Sequence, residues 1–152
     1  ALNIFSSYRN YLSRIPQNTI LTPHVRELER IVGRCSNSYE RLLKARELAA
    51  AQQCYIVLKG AWTVVITPEG YCFFNPTGNP GMATGGSGDV LTGVITSLLA
   101  QGYSEEEACR LGAYVHGLAG DIACCRVGEI SLTAGDIVEA LPEAWKLLSE
   151  IK

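Results

Sequence analysis

This 152-residue sequence lacks a large excess of positive or negative charge. Its 13 Lys and Arg residues and 15 Asp and Glu residues give a formal net charge of -2. The basic residues do not cluster, which argues against a protein whose main task is to bind a nucleic-acid backbone. No apolar run approaches the roughly 20 residues of a membrane-spanning helix, and the first residues lack the pattern of a signal peptide. With 47% hydrophobic residues, the composition is typical of a globular domain with a substantial core.

The six cysteines do not form a C-x-x-C motif, and they do not pair with histidines at the spacing of a zinc site. Most of them lie in apolar stretches, where a free cysteine behaves as a small hydrophobic residue. The sequence also contains no acceptor motif for N-glycosylation. We therefore expect reduced cysteines and a cytoplasmic protein.

Periodicity and turn residues divide the chain into strands and helices. Apolar runs indicate strands at Thr19–Thr22 and Tyr55–Leu58, and a β-hairpin is expected around Pro68-Glu69-Gly70. Helical spacing and capping signals predict helices at residues 1–15, 24–32, from Ser38, from Asp89 to Gly102, from Ser104 towards Cys125, and after Thr133. The pattern is that of an α/β domain with helices on a mostly parallel sheet, and no linker divides it.

The glycine-rich segment Asn79–Asp89 carries the most chemical information, and it leads directly into an apolar helical pattern. Gly85, Gly86 and Gly88 let a ligand approach the backbone closely and permit conformations that other residues avoid. The helix that follows leaves its first N–H groups unpaired and adds the positive end of its dipole. Together these features predict an anion site suited to a phosphate.

Asp89 is the unexpected member of this segment, because a carboxylate that only touched a bound phosphate would repel it. We interpret Asp89 as a general base that takes a proton from a hydroxyl attacking the phosphate. The alternative is a tight turn in which Asp89 caps the helix. The spacing matches neither the P-loop motif nor the dinucleotide motif G-x-G-x-x-G, so neither of those classes is supported.

The string Thr84-Gly85-Gly86-Ser87-Gly88-Asp89 resembles the anion-hole and catalytic-base signature of the ribokinase-like superfamily. The longer string from Asn79 to Gly93 is similar to one branch of it, the ADP- or ATP-dependent NAD(P)H-hydrate dehydratases of the carbohydrate-kinase family. Three further stretches match this branch in order, namely Ile20–His24, Leu58–Thr63 and Val115–Asp121.

This resemblance implies a three-layer α/β/α fold and an enzyme that repairs hydrated NADH or NADPH by dehydration, with ADP or ATP as co-substrate. Phosphoryl transfer to the substrate hydroxyl would be followed by loss of phosphate. Mg²⁺ is expected, without an assigned protein ligand, because the transferring phosphoryl oxygens need charge neutralisation. The expected partners are these small molecules and further copies of the chain in a homo-oligomer, with no nucleic acid and no membrane.

The resemblance also implies roles for individual residues. Asp89 corresponds to the catalytic base and to a substrate contact, and His24 corresponds to a second contact with the hydrated dinucleotide. The anion hole and the nucleotide contacts correspond to Gly85, Gly86, Ser87 and Gly88, together with a stretch for the AMP portion made of Lys59, Gly60, Ala61, Trp62 and Thr63. His116, which lies in an apolar helical pattern, is interpreted as a core histidine and is left out of the site.

Each of these roles has a purely structural alternative. His24 would be a capping or surface residue, Lys59 a solvated strand end, Gly60 a turn glycine and Trp62 a packing residue. The order and spacing of four motifs favour the functional interpretation over these alternatives.

Two other functions remain open, a small-molecule kinase of the same superfamily that phosphorylates a sugar or vitamin, and a nucleotide-binding fragment without activity alone. Because family members precede the position of Ala1 with further strands, residues 1–152 are expected to form a single domain that is the C-terminal part of a larger one, with the N-terminal half absent. After Pro23-His24, the usual Pro-Gly turn is replaced by Val25-Arg26, although Glu27 keeps its place.

Overall fold

The computed structural model describes residue 12 and residues 14–150, so the helix expected over residues 1–15 lies largely outside the described residues. The chain divides into two compact units, with the boundary between Phe74 and Asn75. Within the described ranges, every helix is too short or too polar to span a bilayer.

The described part of the first unit contains a four-stranded sheet and two helices, α1 (Val25–Val32) and α2 (Ser38–Gln52). Its strands, in sheet order, are β1 (Ile20–Leu21), β2 (Tyr55–Leu58), β3 (Val64–Ile66) and β4 (Cys72–Phe74). The first pair is parallel, whereas the other two pairs are antiparallel. The mostly parallel sheet of the sequence prediction is therefore parallel only at the β1–β2 pair of the described strands, because short turns such as the one at residues 67–71 can join only antiparallel neighbours.

Strand β2 is the centre of the first unit. Ile56 and Val57 are both 0% exposed, although successive side chains of a strand point to opposite faces. This confirms the expectation of a strand that is covered on both sides. On one face, Ile56 packs in a cluster with Leu28 of α1 and with Ala45 and Ala49 of α2, so the small residues of α2 let this helix lie close to the sheet.

In the second unit, residues 75–150 form a loop with one 3-10 turn at Pro80–Met82, followed by three helices, α3 (Ser87–Ala100), α4 (Glu105–Val127) and α5 (Ala134–Glu150). The capping signals of the sequence are both present. Ser104 and Glu107 form a reciprocal capping box at α4, and Thr133 donates its N–H and its hydroxyl to the carboxylate of Asp136 at α5. These hydrogen bonds stabilise the ionised carboxylates and lower the pKa of both groups.

Helix α4 packs closely against its neighbours because glycine occupies positions where a side chain would not fit. A Cβ atom at Gly117 would collide with the side chain of Thr77, and one at Gly120 would collide with the side chain of Met82. The loop at residues 75–82 therefore lies directly on the backbone of α4. This close approach positions the start of the glycine-rich segment.

The six cysteines are free, as the sequence predicted. Burial raises the pKa of the Cys54 thiol to about 11 and that of Cys109 to about 12. Both thiols therefore stay protonated at neutral pH and contribute as hydrophobic core residues.

Replacing Gly117 with alanine should destabilise the second unit, because the added methyl group would lie 2.8 Å from the carbonyl oxygen of Thr77. We expect a loss on the order of 1–3 kcal/mol, as for other overpacked interiors. The measurement is the free energy of unfolding in urea. Gly93→Ala in α3 is the matched control, since a Cβ there has no neighbour within 4 Å. Alanine should stabilise that helix by about 0.5–1 kcal/mol. Equal effects of the two substitutions would contradict the close packing at Gly117.

Candidate functional site

The glycine-rich segment enters α3 through a left-handed residue. Gly86 has φ 89° and ψ -17°, and the helix begins at the next residue, Ser87. Only glycine adopts this conformation without a steric cost, so the sequence of the loop and its backbone path agree. Among the described residues, the N–H groups of Gly85, Gly86 and Gly88 have no hydrogen-bond acceptor. Three main-chain donors are thus available at the positive end of a 14-residue helix.

Asp89 lies in the first turn of α3, where its own N–H donates to the carbonyl of Gly86 at 3.0 Å. Its carboxylate is exposed and has no hydrogen-bond or ion-pair partner in the described part of the chain. Asp136 holds the equivalent place in the first turn of α5, but its carboxylate is used by Thr133. The difference lies in the capping residue, because Gly86 has no side chain with which Asp89 could form a capping box.

His116 of α4, which is 9% exposed, connects this helix to the glycine-rich segment. Its Nε2 atom is 2.9 Å from the carbonyl oxygen of Ser87 and 3.4 Å from the Ser87 hydroxyl. Ser87 itself is 6% exposed. The prediction that His116 is a core histidine is confirmed, and its hydrogen-bond partner is a residue of the predicted anion hole.

The residues before the loop are fastened to α4 by Asp121. One carboxylate oxygen accepts from the N–H of Gly78 at 2.9 Å, and the other accepts from the amide of Asn79 at 2.9 Å. Thr77 adds a hydrogen bond from its hydroxyl to the carbonyl of Tyr114 at 2.9 Å. Both oxygens of the Asp121 carboxylate therefore bind the loop.

The sequence prediction did not assign these fastening roles, although a signal was present. His116 and Gly120 are four residues apart, as are Gly117 and Asp121, so the two pairs form adjacent rows along one side of α4. Two glycines and two polar groups on a single helix face indicate a backbone that lies against the helix and bonds to it. Sequence spacing shows this face, but it does not show which loop covers it.

In the first unit, the structure brings His24 and Lys59 together. The N–H of Lys59 donates to the carbonyl of Pro23 at 2.9 Å, and His24 and Lys59 form a parallel bridge just beyond β1 and β2. Both residues thus follow the carboxyl ends of adjacent parallel strands. In open α/β sheets, ligands bind at this end of the strands.

His24 is the N-cap of α1. Its Nδ1 atom accepts from the N–H groups of Arg26 and Glu27 at 3.2 and 3.3 Å, and the Glu27 carboxylate accepts from the His24 N–H at 2.8 Å. Because Nδ1 is an acceptor here, the ring proton of the neutral histidine is on Nε2. The capping box replaces the missing Pro-Gly turn, so the departure at Val25-Arg26 leaves an ordered helix start. His24 therefore caps α1, which is the structural role considered as an alternative in the sequence analysis, and its side chain remains 49% exposed.

The rest of the predicted AMP-contacting stretch forms the exposed connection between β2 and β3. Gly60 and Ala61 are exposed, Thr63 is half-buried, and Trp62 has 67% of its surface exposed, so packing does not explain this large aromatic side chain. His24 and residues 59–63 belong to the first unit. The loop at residues 85–88 and Asp89 belong to the second.

The α/β fold of this chain, with its glycine-rich loop and Asp89 in the first turn of α3, is similar to that of ribokinase-like proteins. A ribokinase-like protein of Enterococcus faecalis aligns with a TM-score of 0.75 at 30% sequence identity, over 95% of this chain and 50% of that one. The fold class expected from the sequence is confirmed.

The sequence model of the NAD(P)H-hydrate dehydratase family matches residues 1–143, and the chain belongs to this family. The bifunctional NAD(P)H-hydrate repair enzyme of Thermofilum pendens is 46% identical over 142 residues, which are 92% of this chain and 27% of that protein. The ADP/ATP-dependent NAD(P)H-hydrate dehydratase of Bacillus subtilis, co-crystallised with ATP and Mg²⁺, aligns with a TM-score of 0.81 at 37% identity over 88% of this chain. The alignment covers 50% of the Bacillus chain, so the sequence spans about half of that relative.

Gly86→Val should weaken the binding of a phosphate-bearing ligand without unfolding the protein. A β-branched residue is strained at φ 89°, and its Cβ would lie 3.1 Å from the Cβ of Ala134. Calorimetric titration with ADP measures the effect. Gly102→Val is the matched control, because Gly102 has φ 90° and no neighbour within 4 Å of an added Cβ. An unchanged affinity for ADP in Gly86→Val would show that the loop is only a turn.

Proposed function

We propose that this chain contributes the nucleotide loop and the general base for the ADP- or ATP-dependent dehydration of hydrated NADH and NADPH. The observation that carries the proposal is the entry to α3, where among the described residues the N–H groups of Gly85, Gly86 and Gly88 have no acceptor and the carboxylate of Asp89 in the first turn has no partner. Membership of the dehydratase family supports this reaction over a sugar or vitamin kinase.

The proposed reaction has two steps, and its atoms balance. In the first step, Asp89 accepts the proton of the substrate hydroxyl, the hydroxyl oxygen attacks the terminal phosphorus, and the nucleotide leaves shortened by one phosphate. In the second step, the C–O bond to the phosphate breaks and a proton leaves the adjacent carbon. The double bond of the reduced nicotinamide ring is restored, and inorganic phosphate is released.

In this proposal the loop stabilises the charge that develops on the transferred group. The N–H groups of Gly85, Gly86 and Gly88 belong to the main chain. They are therefore already in place and need no reorganisation during the reaction. Residues 59–63 bind the AMP portion of the nucleotide, with Trp62 offering an exposed aromatic surface. His24 contacts the hydrated dinucleotide through its exposed imidazole ring, whose Nδ1 accepts from the helix cap and whose Nε2 lies 3.4 Å from the Glu27 carboxylate.

Magnesium would be held mainly by the phosphates of the nucleotide. Across the part of the chain that the structure describes, His, Cys, Asp and Glu side chains do not form any group of three or more that could hold a metal ion. When bound, Mg²⁺ neutralises charge on the phosphoryl oxygens. We assign it no protein ligand.

Asp89→Asn in the active protein should reduce kcat by about 10²–10⁴-fold, the typical contribution of a general base. Nucleotide affinity should stay nearly the same, because asparagine leaves the three loop N–H groups in place. The measurement is the return of reduced-nicotinamide absorbance from hydrated NADH with ADP or ATP, beside an ADP titration.

Asp136→Asn is the control for this substitution. It removes the same charge from the same position of a neighbouring helix, but there the carboxylate only caps α5. We expect lower stability and a normal rate. Near-normal turnover of Asp89→Asn would refute the role of Asp89 as the base.

The isolated 152-residue chain should bind adenine nucleotide but should not dehydrate hydrated NADH, because it spans about half of the Bacillus dehydratase.

We also propose that the chain self-associates. Its free cysteines favour a cytoplasmic location. Tyr71 and Phe74, at the β4 edge, are 66% and 60% exposed, and such an apolar edge favours association between copies. Light scattering and the absorbance assay are the measurements. An active monomer would contradict both expectations.

A further inference from the structure

The hydrogen bond between His116 and Ser87 acts on the peptide unit that carries one of the loop donors. A peptide unit joins the carbonyl of one residue to the N–H of the next, so the Ser87 carbonyl and the Gly88 N–H belong to one planar group. His116 Nε2 lies 2.9 Å from that carbonyl oxygen, and the Gly88 N–H is one of the three groups without an acceptor among the described residues. A change at His116 is therefore transmitted to Gly88 without any contact between the two side chains.

The direction of the hydrogen bond follows from its partners. A carbonyl oxygen can only accept, so Nε2 carries the proton and donates it. A donor on the carbonyl polarises the peptide and makes its N–H a stronger donor, because linked hydrogen bonds reinforce one another in a low-dielectric interior. The interaction also fixes the plane of the peptide and hence the direction of the Gly88 N–H.

We propose that His116 is a positioning residue for the anion loop, which orients and polarises the Ser87–Gly88 peptide so that the Gly88 N–H binds phosphate. This inference rests on the proposed function. It assigns His116 a role in nucleotide binding, whereas burial alone would imply only a role in packing. In this role, His116 acts on the loop from α4, where it is 9% exposed, and not through a contact with the ligand.

Two substitutions separate this role from simple packing. His116→Gln places an amide N–H close to the position of Nε2, whereas His116→Leu fills similar space without a donor. Loss of one hydrogen bond to the loop should weaken ADP binding by up to about tenfold in His116→Leu. His116→Gln should bind ADP within about twofold of the wild-type chain. Calorimetric titration of the 152-residue chain with ADP measures both.

Val115→Ala is the matched control. Val115 is the neighbouring residue on α4, is 0% exposed and belongs to the core cluster of the second unit. Its truncation should lower the unfolding temperature and leave ADP affinity unchanged. A wild-type affinity in folded His116→Leu, or an equal loss in His116→Gln, would overturn the proposal.

A second measurement keeps this test independent of the proposed function. The amide signal of Gly88 in NMR spectra, recorded without nucleotide, should move in His116→Leu and return towards the wild-type position in His116→Gln. If the wild-type chain does not bind ADP, the proposed function fails, and the Gly88 signal still decides whether His116 polarises the loop peptide. An unmoved Gly88 signal in His116→Leu would refute the positioning role.

Discussion

The left-handed backbone at Gly86 is the conformation on which the candidate site depends. It turns the chain from the loop into α3 and puts a residue without a side chain at the N-cap. The first turn of α3 therefore has no side-chain cap, and residues 12 and 14–150 provide no partner for the carboxylate of Asp89 or for the N–H groups of Gly85, Gly86 and Gly88. At α5, a threonine in the same place closes the turn and engages Asp136. The identity of one capping residue separates an aspartate that caps its helix from one whose carboxylate has no partner among the described residues.

Local signals in the sequence predicted most of the elements. Caps and turns depend on residues that are three or four positions apart, so Ser104 with Glu107 and the turn at Pro68-Glu69-Gly70 could be read directly. The continuous apolar run of β2 indicated a strand buried on both faces, and the structure confirms it. The sequence predicted a mostly parallel sheet, whereas only one of the three described strand pairs is parallel. Strand direction depends on how the connections run in space, which local signals do not show.

The supports of the site could not be predicted from local pattern. Asp121 binds Gly78 across 43 positions of sequence, and His116 binds Ser87 across 29. Pairs of this kind form only after α4 packs on the loop, so a single sequence shows the polar residues but not their partners. His24 is the opposite case. Its capping contacts lie within three residues, and they replace a Pro-Gly turn by a different local device with the same result.

In the proposed function, the loop at residues 85–88 offers its ligand main-chain N–H groups, and the use of such donors has two consequences. A main-chain N–H does not titrate, so the loop contributes the same donors over the whole pH range in which the fold persists. The number of these donors also stays the same when side chains are replaced, provided the glycines remain, whereas in our proposal the direction of the Gly88 N–H depends on His116. Discrimination between one phosphoryl donor and another, or between one acceptor and another, must then come from the side chains around the loop. In the proposed site, phosphate binding by the loop and the choice of substrate can accordingly vary independently.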